Sequence, residues 1–307
     1  MIFPKEEYLS RLSKVKKTMD QKNMDVIILT DPSNMHYLTG YDGWSFYVPQ
    51  GIIVALELNE PIWFGRRQDS KGAKVTTYLQ DKNIIYYPED LIQSPPTHPY
   101  DFVSSFIHEN NWANKNIGVE MDAYYYTAEN HYRLTSTLPN VNFSDATLLV
   151  NWIRLIKSAN EITYMKEGAK LVEAGMKTAY ENIKPGVKQS YVAGKIQNSL
   201  IGGNEEINIG GEYAGLTTIL ASGISASASH LTPKDNVFNN NEGTIIELAG
   251  VKNRYHCPLS RTVYCGKPDS TTSDTMKITN EGVEKAISVT KPGNTANDVA
   301  VAFWSVL

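Results

Sequence analysis

Gly243-Thr-Ile-Ile-Glu-Leu-Ala-Gly250, followed after three intervening residues by Arg254-Tyr-His-Cys-Pro-Leu-Ser-Arg-Thr262, is the stretch on which the reading of this chain turns. Thr244–Leu248 is a short apolar, β-branched run between turn residues, which predicts a buried strand. Glu247 sits in its middle. An ionised carboxylate inside an apolar strand is costly unless it is paired or has a chemical task. A Glu facing out from an edge strand, or bound by a nearby arginine, accounts for the local pattern equally well. A second predicted strand, Arg254–Val263, brings Tyr255, His256, Ser260 and Arg261 close behind Glu247. Strand alternation then lets only one of Tyr255 and His256 face a site.

Upstream of this unit, Leu216–Leu220 predicts a strand and 221–234 a small-residue loop carrying His230. A long helix over 159–182 closes at Lys184-Pro-Gly186, and a second helix covers 189–200. Downstream, a helix over 271–290 closes at Lys291-Pro-Gly293, and another begins near Thr295. This echo predicts a weak internal repeat of long helix, short helix and strands. The last residues, Trp304-Ser-Val-Leu307, fall inside an amphipathic helix with no strands after it, so the expectation is a fragment of a longer protein. Before Val150 the pattern alternates strands with helices, which predicts an α/β domain. It opens with an amphipathic helix over 5–22 and a strand over 25–30. A turn at Asp31-Pro-Ser-Asn34 and an aperiodic, aromatic segment to Val48 come next. The joint is placed at 150–158, giving domains 1–152 and 153–307.

Composition narrows the function classes. A net charge of -4 gives no basic footprint for nucleic acid. No apolar run approaches the roughly 20 residues needed to span a bilayer, and no signal peptide is visible. Two cysteines, Cys257 and Cys265, make neither a zinc pattern nor a disulfide framework, which fits a reducing cytoplasm. His36, His98, His108 and His131 are scattered and form no ligand pattern. The carboxylates of Glu120-Met-Asp122 are expected to cap the turn that follows them.

Three segments resemble the creatinase, prolidase and methionine aminopeptidase superfamily. They are Arg154-Leu-Ile-Lys-Ser-Ala-Asn-Glu161, Ala221-Ser-Gly with His230, and the Glu247 stretch through Thr262. The resemblance implies a creatinase-like α/β N-terminal domain followed by an α+β pita-bread catalytic domain, here without its C-terminal portion. Metal-dependent members carry one aspartate on the first strand and another four residues before the threonine of the Arg-Thr pair. This chain has Glu247 and Pro258 there. Proline offers no ligand, and a dinuclear site needs bridging carboxylates. The expectation is therefore a hydrolase with no metal and no cofactor.

Within that superfamily the similarity is to the ectoine hydrolases. It is carried by Asp42-Gly-Trp-Ser-Phe-Tyr47, Gly118-Val-Glu-Met-Asp122 and Tyr255-His-Cys-Pro-Leu-Ser260. It implies hydrolytic opening of a cyclic amidine, ectoine, to N-acetyl-diaminobutyrate in a homodimer, with hydroxyectoine a candidate second substrate. Ectoine is a zwitterion with a delocalised amidinium. Trp44, Phe46 and Tyr47 suit that cation, which gains about 0.5–2 kcal/mol over an aromatic face. Glu247 is the leading catalytic residue, as nucleophile at the amidine carbon or as general base on water. The resemblance favours the first, and spacing does not choose. His230 is assigned proton transfer to the departing nitrogen. His256 and Tyr255 are candidates for support or substrate contact, and Arg254 is one candidate anchor for the substrate carboxylate. Two competing readings are a metal-dependent Xaa-Pro aminopeptidase or dipeptidase, and a catalytically inactive pita-bread binding protein.

Overall fold

The computed structural model describes residues 1–203, 207–213, 215, 217–228 and 230–307. The chain forms two compact units, Met1–Asn160 and Glu161–Leu307.

The first unit runs α1 (Lys5–Gln21), β1 (Val26–Leu29), α2 (Pro32–Thr39), β2 (Gly51–Ala55), β3 (Ile62–Arg66), α3 (Ser70–Thr76), β4 (Ile84–Tyr87), α4 (Pro99–Glu109), β5 (Asn116–Val119), α5 (Ala128–Thr137), β6 (Asn142–Asp145) and α6 (Leu149–Arg154). Its six strands lie in the order β4-β3-β2-β1-β5-β6. β1 is parallel to β5 and antiparallel to β2, so the sheet is mixed. Strands buried along their whole length, such as Val26–Leu29, need cover on both faces, and they read as continuous apolar runs. Tyr100, Val103 and Ile107 of α4 and Leu134 of α5 join Ile28, Ile53, Phe64 and Ile117 in one core cluster. From α1, Tyr8, Leu12, Val15 and Met19 are buried at helical spacing.

The expected turn at Asp31–Asn34 is instead the start of α2. The Asp31 carboxylate accepts from the backbone N–H groups of Ser33 (2.8 Å) and Asn34 (3.1 Å), Pro32 takes the first helical position, and Gly40 ends the helix with φ 81°. Glu120 does not cap its own turn either. Its carboxylate reaches across the sheet to the N–H groups of Thr30 (2.6 Å) and Asp31 (2.9 Å) and to Asn34 Nδ2 (2.6 Å). Asn34 Oδ1 in turn accepts from Arg154 (2.8 Å). Burial raises the Glu120 pKa, and the hydrogen bonds from Asp31, Asn34 and Thr30 oppose that rise.

The second unit is built from α7 (Ala159–Asn182), α8 (Gln189–Gly202), β7 (Ile219–Ser222), β8 (Glu242–Lys252), β9 (Tyr255–Cys265), α9 (Ser270–Val289) and α10 (Ala296–Trp304). Leu216, where the predicted strand begins, and Ser229, in the predicted loop, lie outside the described residues. The three strands are antiparallel, with β8 in the centre. Ile246 and Leu248 share a core cluster with Val172 and Met176 of α7 and Ile196 and Leu200 of α8. Helix and strand approach closely where glycines face each other. A Cβ on Gly250 would run into the Gly168 carbonyl. β8 and β9 are longer than predicted, and Arg254 belongs to the turn rather than to β9. Asn253 (φ 48°) and Arg254 (φ 63°) are both left-handed, the geometry of a two-residue hairpin turn that matches strand twist. Gly186 (φ 84°) and Gly293 (φ 97°) end the two Lys-Pro-Gly stretches in the same left-handed form. Among the described residues, no helix is long and apolar enough to cross a membrane.

Candidate active site

The strand register decides what Glu247 faces. Thr244, Ile246 and Leu248 are buried, and the latter two lie in the core shared with α7 and α8, so Glu247 projects from the other face. It lies between Ile219 on β7 and Ser260 on β9. The edge-strand reading of this residue therefore fails, because β8 is the central strand. Glu247 is partly buried, and the same face presents Ile245, Ala249, Val251, His256, Pro258, Ser260 and Thr262. It is the one carboxylate that these three strands carry on that face.

Pro258 pairs with Ala249, two residues along from the Glu247–Ser260 pair, a diagonal separation of about 7–8 Å. β9 is the outer strand of this sheet, where a missing N–H is tolerated. Among the described residues, no group of three or more His, Cys, Asp or Glu side chains is placed to hold a metal ion. With proline at the diagonal position, the donor set on this face does not fit a dinuclear centre.

His256 and Tyr255 separate as alternation requires. His256 pairs with Val251 and shares the Glu247 face, four residues along the strand, or about 13 Å. Its Nδ1 lies 3.0 Å from the Arg254 carbonyl oxygen. A carbonyl only accepts, so Nδ1 carries the proton and the neutral ring offers Nε2 as an acceptor. Tyr213 meets the ring edge-on, with centroids 5.8 Å apart. A Cβ on Gly215 would come within 2.8 Å of His256, Ala249 and Val251, so Gly215 lies directly over that end of the face. Burial lowers the His256 pKa; the bond to the Arg254 carbonyl opposes the shift and the Arg254 charge adds to it. Glu212 braces the turn by accepting from the N–H of Asn253 (2.7 Å) and Arg254 (3.3 Å). Tyr255 lies on the opposite face, where its hydroxyl donates to the buried Glu161 at 2.9 Å.

His230 is exposed, with a left-handed backbone (φ 64°). Among the described residues no hydrogen bond joins it to Glu247. Trp44, Phe46 and Tyr47 lie in the first unit and divide into two environments. Trp44 and Tyr47 are 75% and 73% exposed and line a cavity. Phe46 packs on Tyr125, with ring centroids 5.2 Å apart. The remaining histidines are used locally: His98 accepts from the Tyr100 N–H to cap α4 (3.2 Å), and His131 pairs with the Tyr126 hydroxyl (3.0 Å). Sequence reasoning overlooked Glu212 and Asp69. Each is a lone carboxylate in a loop or at a helix start, with no spacing signal to mark it.

A mixed α/β unit followed by two helices on one face of an antiparallel sheet, with a single carboxylate on the other face, fits a hydrolase of the creatinase and prolidase class. The chain belongs to that family: residues 11–156 match the Creatinase/Prolidase N-terminal domain and residues 163–307 match Metallopeptidase family M24. Within it, the chain is 42% identical to the ectoine hydrolase of Halomonas elongata, over 99% of this chain and 77% of that protein. It is 41% identical to an uncharacterized hydrolase/peptidase of Sinorhizobium fredii, over 98% of this chain and 76% of that protein. Among solved structures, a recombinant prolidase from Thermococcus sibiricus superimposes with a TM-score of 0.83 at 17% identity, covering 97% of this chain and 77% of that one. That last likeness shows the fold alone.

Proposed function

We propose that this protein hydrolyses the cyclic amidine of ectoine to N-acetyl-diaminobutyrate, with Glu247 at the reacting carbon. The observation that carries the reading is the 42% identity to an ectoine hydrolase across nearly the whole chain. The geometry supports it, since the face of the sheet holds one carboxylate and, at the diagonal position, a proline. An amidinium carbon is electrophilic, and a carboxylate is its natural counter-charge.

In the covalent route a Glu247 oxygen bonds to that carbon and the ring C–N bond breaks. The departing nitrogen takes a proton from the His230 imidazolium; water then adds to the same carbon, giving a proton back to the His230 imidazole as the Glu247 C–O bond breaks, which leaves the acetamide and the free Glu247 carboxylate. In the alternative route Glu247 takes a proton from water, whose oxygen bonds to the amidine carbon; the ring C–N bond then breaks and the departing nitrogen takes a proton from the Glu247 carboxyl or the His230 imidazolium. A mass increment on the Glu247 peptide after acid quench distinguishes the first from the second. Trp44 and Tyr47 present aromatic faces to the cation, and His256 offers an acceptor on the Glu247 face. Tyr255, turned away and bound to Glu161, is a structural residue in this reading. The enzyme is assigned to the cytoplasm and to a homodimer in which the exposed aromatic segment serves the partner's site. Hydroxyectoine is the natural second substrate to assay.

The test is incubation with ectoine and with Xaa-Pro dipeptides in parallel, each with and without chelator. Ectoine opening that survives chelator supports the proposal. Chelator-sensitive dipeptide cleavage with ectoine untouched overturns it in favour of a metallopeptidase. Light scattering reads the dimer directly, and a monomer that turns over ectoine at full rate removes the shared-site arrangement.

A further inference from the structure

In the first unit a cavity of about 340 Å³ is lined by Tyr41, Trp44, Tyr47, Gln68 and Asp69. That volume suits a small organic ligand. Its polar chemistry is one-sided. Asp69 is only partly exposed, and its Oδ2 is buried without a hydrogen-bond partner. A buried carboxylate oxygen left unsatisfied is costly, and a cation nearby offsets that cost. The two neighbouring arginines are engaged elsewhere. Arg66 is close enough to feel the Asp69 charge, but its Nε is bound to Glu89 at 2.8 Å. Arg67 lies over the Tyr86 ring at 5.7 Å. The Tyr41 hydroxyl donates to Gln50 (2.8 Å), which commits its polar end away from a ligand. The cavity thus combines two exposed aromatic side chains with a carboxylate that has no ion-pair partner among the described residues.

We propose that this cavity binds a small planar organic cation of the amidinium class, with Trp44 and Tyr47 supplying the π surface and Asp69 the countercharge. Asp69 is then the residue that selects a cationic ligand over its neutral analogue. The inference rests on the amidine-hydrolase reading for the class of ligand, but not for the existence of the site. Phe46, packed on Tyr125, is not among the cavity's lining residues.

The test uses the whole protein and two probes, acetamidinium chloride and neutral acetamide, followed by saturation-transfer NMR. Acetamidinium is expected to bind and acetamide not. Asp69→Asn should weaken acetamidinium binding about tenfold or more, and Trp44→Ala about 2- to 30-fold. Gly72 supplies an independent plug. It lines the cavity within α3, and a Cβ there meets no heavy atom within 4 Å, so Gly72→Leu should fold normally and abolish binding. Equal binding of both probes, or acetamidinium binding unchanged in Asp69→Asn and Gly72→Leu, overturns the site. The two readings fail separately. Probe binding with this dependence but no ectoine turnover removes the ectoine assignment and keeps the cavity. Ectoine turnover with KM unchanged in both variants removes the cavity and keeps the enzyme.

Discussion

Glu247 stands directly across from Ser260, in the central strand and on the face turned away from α7 and α8. That single register places the carboxylate among a hydroxyl, a proline and aliphatic side chains, with Ile219 on its other side. With its backbone paired on both sides, Glu247 projects from a fixed point on this face, which suits attack on a small planar substrate.

The diagonal neighbour Pro258 gives a gain-of-binding prediction. Pro258→Asp places a second carboxylate about 7–8 Å, Cα to Cα, from Glu247 on the same face. Calorimetry with Mn²⁺ should show tighter binding to this variant than to wild type, because two converging carboxylates create a hard-cation site. Equal affinity in both proteins would mean that the two side chains do not converge.

Tyr255 is predicted to act on stability. Its hydroxyl meets Glu161, which is 3% exposed, at 2.9 Å. Tyr255→Phe leaves a buried carboxylate short of one donor and should cost roughly 1–3 kcal/mol in urea unfolding. A variant as stable as wild type removes that role.

The first unit carries a pH-dependent contribution at Glu60. Burial raises its pKa, but the hydrogen bonds from Lys5 (2.9 Å), the Gln80 N–H (3.1 Å) and Asn83 (3.0 Å), with the Lys5 charge, outweigh this and hold it below the ordinary value of 4.5. Between that lowered value and 4.5 the unfolded chain binds more protons than the folded one. The stabilisation is therefore complete above 4.5 and is lost as pH falls through the folded value. Thermal melts should show Glu60→Gln less stable than wild type at neutral pH, with the gap closing in acid. A constant gap across that range contradicts it.

The chemistry of the Glu247 stretch was legible because a carboxylate breaks an apolar run. Whether it faced out from an edge or stood in mid-sheet was not, since that depends on β7, a strand some 25 residues away in sequence. Alternation separated Tyr255 from His256, but only the packing of Ile246 and Leu248 on the helices decided which of them shares the Glu247 face. Asp31-Pro-Ser-Asn34 was misread because the residues that cap a helix are also the residues that make turns. Gly40, eight residues beyond Pro32, was the signal for a helix end. Asp69 gave no signal at all. It meets the aromatic segment only because β2, β3 and the start of α3 bring it back to Tyr41 and Trp44.

Ectoine turnover by the wild-type protein and by Glu247→Gln, followed by proton NMR, tests the assignment most directly. The wild type should convert ectoine to N-acetyl-diaminobutyrate, and the variant should be slower by at least roughly a hundredfold while keeping the wild-type circular dichroism and melting curve. Intact ectoine after incubation with the wild type, or a Glu247→Gln variant that opens the ring at the wild-type rate, would contradict it.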